Sequence, residues 1–225
     1  PSKVPAPYRV YSMKEIQNMP LHTQFMLMNA HRQDDGYVEY SGVIMEDLLE
    51  DAGITDEATG ITVFAPDGWS TNHPLEEVED PGLYHVNGVY PAANFYYNEE
   101  ADLALHPEDG WCDYSAPSCA GRSHLDPIVV AGGLRTILAY LREGAFLDKS
   151  FLGPDNKIEG EGPFRVIVPQ KVPGPPDQSE RAENQDVFWP FNEEWDHNAG
   201  SCGKAATLIR VEPLPAGTID IDVLE

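Results

Sequence analysis

The alternation of apolar and polar positions divides the chain into short elements separated by long polar stretches. "YSMKEIQNMP" predicts one short helix, with Ser12 as its cap and Glu15 three positions on, an S-x-x-E box. "TQFMLMNA" is a continuous apolar run that ends in polar residues, which predicts a buried strand over 23–30. A short acidic loop is expected next, leading to "GVIMEDLLEDAG". Its Val43, Ile44, Leu48, Leu49 and Ala52 recur at helical spacing before Gly53. "ITVFA", "PDG" and "WSTNHPL" predict a hairpin. "GGLRTILAYLREG" places Leu134, Ile137, Leu138 and Leu141 on one helical face. "GPFRVIVPQ" and "ATLIRVEP" predict two further strands, and "AGTIDIDVLE" a last edge strand or arm.

Residues 80–127 and 170–200 are rich in Pro, Gly, Asn and aromatics and show little periodicity, so they predict long loops. Strands and helices are mixed without regular βαβ alternation. The expectation is an α+β domain with a mixed sheet and long loop insertions. It divides into an extended lead-in over 1–24, the domain proper over 25–213 and a C-terminal arm over 214–225.

Charge narrows the partners. The 225 residues carry 38 Asp and Glu against 14 Lys and Arg, a net charge of −24. Such a surface repels nucleic acid and anionic membranes and favours basic partners or solvated cations. No run of eighteen apolar residues occurs, so no membrane span is expected. The chain starts at Pro1 with no Met, which fits a removed leader and an extracytoplasmic setting.

The three cysteines form no CxxCH and no CxxC, so neither covalent c-type haem nor a zinc ribbon is expected. Cys112 and Cys119 in "CDYSAPSC" are close enough in sequence to form a disulfide, and two free thiols are the equal alternative. No G-x-S-x-G, P-loop or dinucleotide fingerprint is present. His31, Arg32, Arg122 and His124, if gathered, would make a basic pocket suited to a pyrophosphate or another anion. "WDHNAGSC", with Asp196, His197 and Cys202, has the residue types of a metal site. A histidine bonded to its own loop is the plainer reading. "VYPAANFYYNEE" and "FWPFNEEW" are aromatic clusters suited to a satellite core or a partner surface.

Taken in order, "YSGVIMEDLLEDAGI", "ITVFAPDGWSTNHPLEEV", "ILAYLREGAFL", "GEGPFRVIVPQK" and "KAATLIRVEP" resemble the oxidoreductase molybdopterin-binding domain, the sulfite-oxidase-like fold. The resemblance spans roughly residues 25–213, interrupted by the two long loops. It implies a molybdopterin cleft lined by Asn29, His31, Arg32, Cys119 and Arg122. In active members a cysteine thiolate at the end of the strand before the G-V-x-L-x-D-L-L helix holds the molybdenum, a soft donor for a metal already bound by sulfur. In this chain that place falls at Met28 or Asn29, and neither supplies a thiolate. The expected function is therefore a binding or structural partner in a redox assembly, docking on a basic or multihaem protein. The alternative is a molybdopterin-dependent oxidoreductase with Cys119, in "CAGR", as substitute ligand and a separate cytochrome as electron partner.

Overall fold

The computed structural model describes residues 9–30, 34–80, 82–91, 93–107, 110–177 and 197–213. His31 and Arg32, the aromatic run 188–195, Asp196 and the arm 214–225 lie outside the described residues. The fold is α+β and dominated by antiparallel sheet. A larger sheet has the strand order β1 (His22–Met28), β2 (Asp35–Ile44), β6 (Ile137–Arg142), β10 (Arg165–Ile167). A second sheet has the order β11 (Leu208–Glu212), β3 (Gly60–Phe64), β4 (Ser70–Pro74), and a two-stranded ribbon pairs β8 (Phe151–Leu152) with β9 (Ile158–Glu159). One short parallel pair, β5 (Cys112–Asp113) with the start of β2, makes the larger sheet mixed. β1 fills the other edge of β2, so β5 continues the line of β6 along it.

The unbroken apolar run in β1 follows from burial on both faces. Met26 and Met28 join Val38 and Tyr40 of β2 in the main core, with α2 (Met45–Ala52) and Ile61 and Val63 of β3. Phe25 and Leu27 point the other way and meet Tyr37, Tyr96, Cys119 and Ile128 in a second cluster. Segment 94–130 covers that second face. It holds α3 (Glu99–Leu105), capped by the Asn98 side chain on Ala101 N–H, and a 3-10 turn at Pro117–Cys119. The first helix, α1 (Met13–Asn18), has the reciprocal Ser12–Glu15 cap, with each side chain accepting from the other's backbone N–H.

Two expected elements differ. "TILAYL" is not a helix but the central strand β6. Ile137, Leu138, Ala139 and Tyr140 are all buried because neighbours cover both sides of the sheet, and such a run reads equally as one face of a helix. The signal that decides is Glu143-Gly144. Both have positive φ, at 51° and 75°, the backbone of a two-residue hairpin turn into β7 (Ala145–Phe146). The acidic stretch before α2 is likewise strand from Asp35 on, and β2 takes Val43 and Ile44 from the expected helix. α2 starts at Met45, whose N–H finds the Thr136 carbonyl at 2.9 Å, and stops at Gly53 with φ 81°. Among the described residues no helix is long and apolar enough to cross a membrane.

Candidate functional site

The polar end of β1 is a buried node. Asn29 is fully buried. Its backbone N–H donates to Asn198 Oδ1 at 2.9 Å, and its side-chain Nδ2 donates to Asp177 Oδ1 at 2.9 Å. Its carbonyl accepts from Ala199 N–H at 2.9 Å. Asn198, also fully buried, donates to the carbonyls of Leu27 and Val168 at 3.3 and 2.7 Å. Asp35, at the start of β2, accepts from Ala30 N–H at 2.7 Å and Asp177 N–H at 2.8 Å. His197 Nε2 faces Asp177 Oδ2 at 3.3 Å, both side chains nearly closed to solvent. Asn198 thus ties the turn 198–201 to the end of β10, 30 positions away, and to the end of β1, 171 positions away.

This node does not fit a soft metal. Asn29 offers a carboxamide whose Nδ2 donates to Asp177 and whose Oδ1, a hard oxygen, has no partner among the described residues, and Met28 is packed in the main core. Neither is the anionic sulfur that such a metal requires. Among the described residues no group of three or more His, Cys, Asp or Glu is placed to hold a metal ion.

Cys119 and Arg122 belong to the other cluster. The Arg122 guanidinium lies 3.6 Å from the centre of the Phe25 ring, and its Nε donates to Ser118 O at 2.8 Å. Ser118 is fixed in turn by Glu143, whose carboxylate accepts from the Ser118 hydroxyl and from the backbone N–H groups of Ser118 and Glu39. Cys119 Sγ donates weakly to Tyr37 O at 3.8 Å. Burial pushes its thiol up, and burial with the nearby Asp35 carboxylate holds the Cys112 thiol well above the usual range. Both are neutral thiols near pH 7. Of the two readings of Cys112 and Cys119, the structure has the free thiols, and Cys202 is free as well. Cys202 is packed against Val168 and pushed up to about 11 by burial.

Of the five residues expected to line one cleft, three lie among the described residues. Cys119 and Arg122 share the second cluster. Asn29 makes its hydrogen bonds to residues 177, 198 and 199, and His31 and Arg32 fall outside the described residues. Of the expected basic pocket, Arg122 lies over Phe25 and His124 packs edge-on against Tyr97 at 4.6 Å between ring centres. Asp35, Asp177 and Asn198 were not singled out from sequence. Asn198 sits inside the noted "WDHNAGSC", but its partners are too distant along the chain for a spacing rule to reveal them.

Several histidines are structural. His106 stacks on Trp111 at 4.0 Å and His85 on Tyr90 at 4.2 Å. His73, on β4, has its Nδ1 against Tyr84 O at 3.0 Å, and burial pushes its imidazole down to about 4. In the unfolded chain a histidine titrates near ~6.5. The unfolded state takes up this proton first, so the contribution is complete above ~6.5 and is lost as the pH falls toward the folded value. Urea unfolding at pH 7 and pH 4 should reveal a loss of about 3 kcal/mol from this group. His73→Gln, which keeps a donor for Tyr84 O, should be less acid-sensitive by about that amount.

The surface beside Cys119 is concave. An open pocket of about 510 Å³ is lined by Tyr96, Asn98, Glu99, Glu100, Tyr114 and the 115–120 turn. No known protein family, curated protein or solved structure matches this chain.

Proposed function

We propose that this chain is a sulfite-oxidase-like domain that has given up molybdenum catalysis and serves as an acidic binding partner for a basic or multihaem redox protein outside the cytoplasm. The observation that carries the reading is the commitment of Asn29. The position that the resemblance gives to a thiolate holds a fully buried residue whose side-chain Nδ2 donates to Asp177 and whose backbone N–H donates to Asn198. Cys119, the substitute ligand of the alternative reading, is a neutral thiol on the opposite face of β1 from Met26 and Met28. With a net charge of −24 the protein would steer a cationic partner toward it, an effect that salt screens.

The test is a titration with a basic c-type cytochrome at low and at physiological ionic strength. The expected result is association that weakens steeply as salt rises. No association at low salt would overturn the binding role.

A further inference from the structure

The pocket beside Cys119 has a composition that the acidic surface as a whole does not explain. Its walls are two tyrosines, Tyr96 and Tyr114, set edge to face at 6.1 Å with an interplanar angle of 86°. Glu99 and Glu100, both exposed, stand at its mouth with Asn98. No Lys or Arg is among the residues described around it. The nearest arginine of the cluster, Arg122, is already held by the Phe25 ring and Ser118 O. Aromatic faces attract cations through their ring quadrupole, and paired carboxylates add charge and hydrogen-bond acceptors. A cavity that is open rather than enclosed suits a side chain entering from another protein's surface better than a small molecule sealed from solvent.

From this the geometry points to the Tyr96–Tyr114–Glu99–Glu100 pocket as the place where the basic partner inserts an arginine or lysine side chain. This rests on the acidic binding role and gives it a location. The stem of the cation would lie against the half-buried Tyr114 ring, with the buried Tyr96 packed behind it, and the two carboxylates would take its N–H groups. A guanidinium, planar and weakly hydrated, fits such a site better than an ammonium.

The experiment uses a fluorescent hexa-arginine peptide, followed by anisotropy at physiological salt, with hexa-lysine as a second probe. Glu99→Gln/Glu100→Gln should weaken hexa-arginine binding about tenfold, and Asp56→Asn/Glu57→Gln, with the same charge change on another loop, by less than about twofold. Tyr114→Leu should weaken it comparably and Tyr114→Phe should not, because the ring supplies the attraction. Hexa-lysine should bind more weakly than hexa-arginine. Equal weakening by both carboxylate pairs would overturn the pocket while leaving a diffuse acidic docking surface intact. Absence of peptide binding, together with absence of cytochrome binding, would remove the acidic binding role itself.

Discussion

Gly42→Val is expected to leave the chain unable to fold. Gly42 lies in β2 where the register with β6 shifts at a bulge. A Cβ there would lie 2.1 Å from the Leu138 carbonyl oxygen and 2.5 Å from Ala139 Cα. Both are backbone atoms of a central strand, so relief requires β2 and β6 to part along the middle of the larger sheet. Overpacking against yielding side chains costs about 1–3 kcal/mol, and a backbone that cannot yield costs more, a large share of the ~5–15 kcal/mol that holds a domain together. Circular dichroism and solubility should both report the loss. Gly200→Ala is the control, since no atom lies within 4 Å of its added carbon. It should stay within about 0.5 kcal/mol of wild type.

Asn198→Ala is expected to cost about 4 kcal/mol in urea unfolding, because three buried backbone groups lose a hydrogen bond, of which only the Val168 carbonyl keeps a second, weak one from the Cys202 thiol, and each orphaned group costs about 1–3 kcal/mol. The groups are Asn29 N–H and the carbonyls of Leu27 and Val168. Asn198→Asp should be nearly as damaging. A carboxylate still accepts from Asn29 N–H but cannot donate to either carbonyl, and it would add a third buried acid near Asp177 and Asp35. A loss below about 1 kcal/mol for Asn198→Ala would mean that water or backbone movement replaces the amide, and that the node does not hold the strand ends together.

What the sequence made legible were the features written locally. The Ser12–Glu15 cap, the stop of α2 at Gly53, the "PDG" hairpin and the doubly buried run of β1 each declare themselves within a few residues. β6 did not, because a central strand buried on both sides loses its period of two and imitates a helix face. Glu143-Gly144 was the local sign that would have corrected it. The site was legible only by half. Asn29 stood out as a polar end to an apolar run, and the structure supplies its partners, Asp177 and Asn198, far along the chain. Cys119 and Arg122 do meet, but around Phe25 rather than around Asn29. That grouping depends on which face of β1 each residue takes.

The central claim is that Asn29 is a structural amide and that no molybdenum sits at the end of β1. The direct measurement is elemental analysis, with a pterin fluorescence assay, of the full chain purified from a host that makes molybdenum cofactor. The account expects neither molybdenum nor pterin above trace, and the same result for Cys119→Ser. One molybdenum and one pterin per chain would contradict it.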